Sequence, residues 1–299
     1  MVDTHYDLLS ICYTCYLKND YTKIEEIVKK IKNNKNNIKC IFANLYFMSK
    51  EEMFEELGEN YYNPNVPVLT MFKISKQILE YYLPDIEFIY SIEGCDYIDI
   101  EDLDDLYNEG LRSIVPVWNT ENKYGSGNRT DKGLTEDGIS LINKAIDLGM
   151  GIDLSHANLN TFCGIIDVIK ENRRLGKNVI CYASHSNARM LCDNKRNLTD
   201  EQLLAIKEVN GLVGICSYSK FVNNKYIDHI IYIANLIGLD NIMLSTDDMS
   251  FLEKYKGTNI YNYKNIYNEL KEELSYKYDS NEIDKIMFKN AYRIINKIM

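Results

Sequence analysis

The stretch Leu148-Gly149-Met150, continued by Ile152-Asp153-Leu154-Ser155-His156, decides how this chain folds. From Leu134 to Leu148 the apolar residues recur at helical spacing, and Thr135-Glu136-Asp137 supplies the acceptor and acids that suit a helix start. Gly149 stands where that helix should end, since glycine enters the left-handed backbone region without strain. Residues 150–154 form a short apolar run that reads as a buried strand. Helical spacing returns from Asn158 to Ile169. The unit is helix, strand, polar strand end, helix.

Working outward, similar apolar runs occur near 2–7, 38–47, 86–92, 111–117, 178–183, 211–216 and 241–246, which with 150–154 makes eight. Amphipathic stretches separate them, among them Lys23 to Ile31, Thr70 to Tyr82, Asp200 to Glu208 and Tyr226 to Leu236. Thr199-Asp200-Glu201 reads as another helix start and Gly238 as a helix end, with two more helices expected towards the C-terminus. Eight βα units predict a TIM-type (β/α)8 barrel, an α/β fold, built as a single domain over residues 1–299. A doubly wound open sheet is the alternative. The lack of a GxGxxG after the first strand weakens it as a nucleotide-binding fold. The Asn-Lys run at 32–37 reads as a solvated helix end.

Composition sets the outer limits. With 45% hydrophobic and 26% charged residues, the chain can bury a substantial core. Its net charge of -10, from 34 basic and 44 acidic residues, argues against nucleic acid as a partner. No run of about 18 apolar residues offers a membrane span. No basic segment and apolar stretch precede Asp3 to Asp7, which predicts a cytoplasmic protein. The eight cysteines are scattered and read as reduced, mostly buried thiols. Cys12-Tyr13-Thr14-Cys15 has no second pair at zinc-finger spacing, so a redox or structural-zinc role is disfavoured.

Chemistry concentrates at the strand ends. The chain has only four histidines, and three of them, His5, His156 and His185, end or follow apolar runs. In a barrel, residues at the C-terminal ends of all strands converge on one face. Strand one then contributes His5 and Asp7, which share a side because side chains alternate. Strand three contributes Glu93, and strands five and six His156 and His185. Strand eight contributes Asp247. Any one of these could be an ordinary core or capping residue. Together, three imidazoles and three carboxylates exceed what one tetrahedral ion needs, and they fit two metals sharing a carboxylate. His229, in the middle of a helical stretch, reads as structural.

At these positions the chain resembles the membrane (renal) dipeptidase family of the amidohydrolase superfamily, and is nearest to short bacterial members. The motifs carrying the resemblance run in order: Asp3-Thr4-His5-Tyr6-Asp7, Ile92-Glu93-Gly94, Gly110-Leu111-Arg112 and Trp118-Asn119-Thr120-Glu121-Asn122. They continue with Gly133 to Gly138, Ile152 to His156, Ala183 to Arg189, Lys195 to Asp200 and Ser245-Thr246-Asp247. The resemblance implies two zinc ions. His5, Asp7 and Glu93 would bind one, and His156 and His185 the other, with Glu93 bridging. It makes Asp247 the acid/base and Arg196 the partner of a substrate carboxylate, a task that suits a planar guanidinium. The plain alternative for Arg196 is a surface charge beside a helix cap. Arg189 is expected to support the site from behind.

The implied activity is zinc-dependent hydrolysis of small dipeptides through a metal-bridging hydroxide, and by family analogy the chain would form a homodimer. Another amide, a lactam or a lactone is the nearby alternative, and a non-catalytic relative is a more distant one. Three departures from the family pattern stand out. Trp118 and Asn119 occupy the place of a substrate-facing histidine, which predicts contacts to substrate there. The loop after strand eight reads Asp247-Asp248-Met249-Ser250 in place of Asp-Phe-Asp-Gly. Residues 8–80 match only loosely, which suggests trimmed lid or dimer-contact segments.

Overall fold

The computed structural model describes residues 1–33, 37–47, 66–248 and 265–299. Residues 34–36 of the 32–37 run, and Met249 and Ser250, lie outside them. Eight parallel strands form one sheet in sequential order. They are β1 (Val2–Tyr6), β2 (Cys40–Tyr46), β3 (Glu87–Glu93), β4 (Leu111–Val115), β5 (Gly151–Asp153), β6 (Ile180–Ala183), β7 (Leu212–Cys216) and β8 (Ile242–Ser245). The helices between them are α1 (Leu8–Lys18), α2 (Thr22–Asn33), α3 (Val68–Tyr82), α4 (Asp102–Glu109), α5 (Glu136–Asp147), α6 (Leu159–Arg174), α7 (Asp200–Glu208) and α8 (Tyr226–Ile237). After β8 come α9 (Ile266–Ser275), α10 (Ser280–Asp284), a π-helical turn (Lys285–Lys289) and α11 (Asn290–Ile298). The expected barrel is present. Strand burial is almost complete, as both faces of a parallel sheet require.

The helix boundaries follow their caps. Thr135 caps α5 by accepting from the Gly138 amide. Thr199 and Gln202 form a reciprocal capping box on α7. Gly149 takes the left-handed conformation just past α5. The α1 helix, which directly follows the first motif, is an element that periodicity did not single out. It carries Cys12 and Cys15, and both thiols are pushed up by burial, which leaves them packed and unreactive.

Polar side chains join β1 to β8 and bring the two ends of the sheet together. Asp3 accepts from the Thr246 amide at 2.9 Å and from its hydroxyl at 2.6 Å. The Thr4 hydroxyl sits between the carbonyls of Ser184 (2.7 Å) and Leu244 (3.0 Å). The Asp247 amide donates to the His5 carbonyl at 3.1 Å. Gly214 is required in β7, because a Cβ there would lie 1.9 Å from the Ser184 carbonyl oxygen and 2.4 Å from the Thr4 hydroxyl.

Inside the opposite, N-terminal end of the barrel, Val2, Phe42, Ile89, Tyr182, Leu212 and Met243 form an apolar layer. Ala291, Ile294, Ile295 and Ile298 of α11 close it from below. That plug leaves the C-terminal face as the open end. No helix among the described residues is long and apolar enough to cross a membrane.

Candidate metal centre and catalytic site

The six expected residues meet at the C-terminal mouth of the barrel. His5 lies within β1, Asp7 just past it, and Glu93 at the last position of β3. His156, His185 and Asp247 sit in the turns after β5, β6 and β8. His156 (φ 69°) and Asp247 (φ 46°) adopt the left-handed conformation, which costs a non-glycine residue about 1–3 kcal/mol and is concentrated at functional sites.

Glu93 faces two groups of ligands at once. One of its oxygens, Oε2, is 3.1 Å from Nε2 of His5, and that nitrogen is 3.5 Å from Oδ1 of Asp7. The other, Oε1, is 2.5 Å from Nε2 of His156 and 3.7 Å from Nε2 of His185. The ligand atoms of His5, Asp7 and Asp247 lie within 4.8 Å of one another, as do those of His5, Glu93 and His185.

The surrounding groups turn the imidazoles inward. Nδ1 of His156 is 3.0 Å from Oδ1 of Asn119, which also accepts from the Asn128 amide. An amide oxygen only accepts, so the His156 proton belongs on Nδ1 and a bare Nε2 faces the site. The Ser184 hydroxyl oxygen lies 2.7 Å from Nδ1 of His185 and 3.2 Å from Nδ1 of His5. The Asn44 amide approaches the same His5 atom at 3.1 Å. Asp153 fixes this turn by accepting from the backbone amides of Ser155 and Ser184. Asn44 is not singled out in the sequence, and Ser184 and Asp153 stand in its motifs without an assigned role. Ser184 stands beside His185, but no local pattern reveals that it also reaches a ring on β1.

These residues fit a metal. Nε2 of His156 and Nε2 of His185 are 2.9 Å apart, and Asp7 Oδ1 and Glu93 Oε1 are buried with no hydrogen-bond partner among the described residues. Buried acceptors facing one another are costly unless a cation lies between them. Imidazole and carboxylate donors together suit zinc and similar ions.

Two of the three imidazoles are held in the neutral form that a metal requires. Burial, with Arg196 nearby, pushes His156 down to about 4, and burial beside His5 holds His185 well below the ordinary imidazole range. Both rings are therefore neutral. Burial also works against a proton on His5, but Glu93 and Asp7 outweigh it and hold that ring well above the ordinary range. Glu93 stays well below the usual carboxylate range despite burial, because His156 and His5 face it. Burial pushes Asp247 up to about 7; Asp7 and Glu93 add to this, while His5 and Arg196 oppose it.

Around this cage, Trp118 stacks on His156 with centroids 5.8 Å apart, and the Arg129 guanidinium lies 5.8 Å from the indole. Asn119, expected as a substrate contact, has its side-chain oxygen committed to His156 and Asn128. Arg196 has a guanidinium nitrogen buried without a partner among the described residues. Arg189 holds the loop on either side of it, donating to the carbonyls of Asn197 (3.0 Å) and Lys195 (2.9 Å). His229 is structural, as expected: buried in α8, it accepts from the Ala188 amide at 3.1 Å.

Residues 65–299 match the sequence profile of the membrane dipeptidase family, peptidase family M19. The chain belongs to that family. Family membership makes it a metal-dependent dipeptidase by class. Among curated relatives, an uncharacterised Klebsiella pneumoniae protein encoded in the pqqA 5′ region is 31% identical over 228 residues. That match spans 69% of this chain and 80% of the relative. Dipeptidase aclJ of Aspergillus oryzae is 30% identical over 156 residues, spanning 48% of this chain and 35% of that one. Among solved structures, a Rhodobacter sphaeroides metallopeptidase liganded with a phosphinate mimic of L-Ala-D-Ala superposes with a TM-score of 0.79. It is 19% identical, with 100% of this chain and 99% of that one covered. At that identity the likeness speaks for the fold.

Proposed function

We propose that this member of the membrane dipeptidase family hydrolyses small dipeptides at a two-zinc site held by His5, Asp7, Glu93, His156 and His185. The observation that carries the reading is Glu93, whose two oxygens face separate groups of imidazole and carboxylate donors. Bound there, two metal ions would supply Lewis-acid polarisation of the scissile carbonyl and a water that ionises near neutral pH.

The chain's own residues do the rest. Asp247 is poised near neutrality, so its carboxylate takes a proton from the attacking water and gives it to the leaving amine. Its left-handed backbone aims the carboxylate at His5 and Asp7. The free guanidinium edge of Arg196 binds the substrate's C-terminal carboxylate, a buried cation waiting for an anion. Trp118 forms the apolar wall beside His156 and excludes water from that side. Asn119 keeps His156 in the tautomer with a bare Nε2, and Ser184 orients the His185 ring through its Nδ1. A reducing, cytoplasmic setting belongs to the same reading, supported by seven buried cysteines.

The test is metal analysis of the purified protein beside a screen of L,L and L,D dipeptides. Two zinc ions per chain and chelator-sensitive hydrolysis are expected. Metal-replete protein that is inactive across a broad dipeptide panel overturns the reading. Activity on neutral amides, lactams or lactones alone would move the substrate class and leave the metal site standing.

A further inference from the structure

At the far end of the barrel from the metal site, a groove of about 560 Å³ opens between α11 and the start of β6 and β7. Its charged lining residues are Arg173, Lys177, Arg293 and Lys297, and among the described residues none that lines it is acidic. That is unexpected in a chain with 44 acidic and 34 basic residues. Like charges held around one concavity repel each other, so such a cluster is retained where an anion offsets it.

The cations are also largely unsatisfied. Among the described residues, only Lys177 of the four has an acidic partner, Asp147 at 2.5 Å. Arg173 donates through one terminal nitrogen to the Val179 carbonyl, which staples the turn from α6 into β6. Its Nε is buried and finds no acceptor among the described residues. The staple therefore accounts for one edge of that guanidinium and not for the other. Arg293 and Lys297 are exposed on α11, one turn apart, and have no ion-pair partner among the described residues.

We propose that this groove binds a phosphomonoester. A phosphoryl group carries nearly two negative charges at neutral pH and three strong acceptor oxygens, which suits two guanidiniums and an ammonium better than a single carboxylate would. The cavity falls in the range that holds whole small molecules and is larger than a lone phosphate needs. Ile180 and Leu212 on its wall offer apolar contact to the organic part, and four asparagines offer neutral hydrogen bonds.

The test is isothermal titration of the metal-loaded full-length protein at low ionic strength, with adenosine 5′-monophosphate and with inorganic phosphate as probes. Wild type is compared with the Arg293→Ala/Lys297→Ala double variant. Binding of the monophosphate should weaken at least tenfold in the double variant, and dipeptide kcat/KM should not change. Added sodium chloride should weaken wild-type binding steeply. Inorganic phosphate binding as tightly as the monophosphate identifies the free ion as the ligand of the same groove. Equal affinity in wild type and variant overturns the proposal, because the anion then sits elsewhere, for example at the metal centre. The absence of binding by either probe overturns it as well. Both substituted side chains are exposed, so a melting curve suffices to show that the variant is folded.

Discussion

Oδ1 of Asn119 lies 3.0 Å from Nδ1 of His156, so this side chain orients the imidazole proposed to bind metal. Removing such a partner typically costs 10–100-fold in metal affinity. Asn119→Ala should therefore lose metal at low zinc, with most of kcat recovered when zinc is raised. Equilibrium dialysis against buffered zinc, run beside the activity assay, measures both. A raised KM with metal affinity intact would instead make Asn119 a substrate contact.

Asp247→Asn keeps the shape of the side chain and removes its ability to exchange a proton. Proton transfer by a positioned group contributes about 10²–10⁴-fold, so kcat should fall by that order. Metal content should stay the same, because the proposed ligands are His5, Asp7, Glu93, His156 and His185. The pH profile follows from the same group. Asp247 must be ionised to accept the proton, so the rate should fall as pH drops below its pKa. Burial puts that pKa at about 7, and bound cations would move it lower. The acid limb of kcat/KM should therefore lie at or below neutrality.

Arg196→Ala should raise KM for dipeptides with a free C-terminal carboxylate and leave C-terminally amidated analogues unaffected. Losing one partner of a buried charge pair costs about 2–5 kcal/mol, which is more than a tenfold effect. Equal losses on both substrate types would show that Arg196 supports the loop and does not bind the carboxylate.

His229 should make stability fall in acid. Burial pushes its folded-state pKa down to about 4, against an ordinary value of 6.5. The unfolded chain therefore takes up this proton first as pH drops below 6.5. Stability is lost between there and about 4, to a limit of about 3 kcal/mol. Urea unfolding of chelator-treated protein at pH 7 and pH 5 measures the loss. It should shrink in His229→Asn, which keeps an acceptor for the Ala188 amide. An identical pH dependence in wild type and variant would assign the loss to other groups.

Chelation should abolish hydrolysis and also lower the melting temperature, since a ligand bound only by the folded state stabilises it. Zinc should restore both. A melting temperature unmoved by chelator would show that the cage is held without metal.

Periodicity and strand-end chemistry were enough to read the barrel and the polar residues that gather at its mouth. Helical and strand periods alternate along the chain, and they encode the eight βα units because each period reflects which face must be buried. In a parallel barrel, polar residues after each strand can only converge on the C-terminal mouth, so His5, Asp7, Glu93, His156, His185 and Asp247 were legible one strand at a time. The α1 helix was not, because it is largely buried and lacks the clear amphipathic contrast of α2.

What stands behind these side chains emerged only from the packed chain. Ser184 reaches both His5 and His185, Asn44 approaches His5 from β2, and Asn119 turns to His156. These are hydrogen bonds between residues far apart in the chain, fixed by strand register and side-chain rotamer, and no local spacing encodes them. The basic groove beneath the plug helix has the same origin. Arg173 and Arg293 become neighbours only when α11 closes the bottom of the barrel, because apolar burial chooses where that helix docks and its charged face follows.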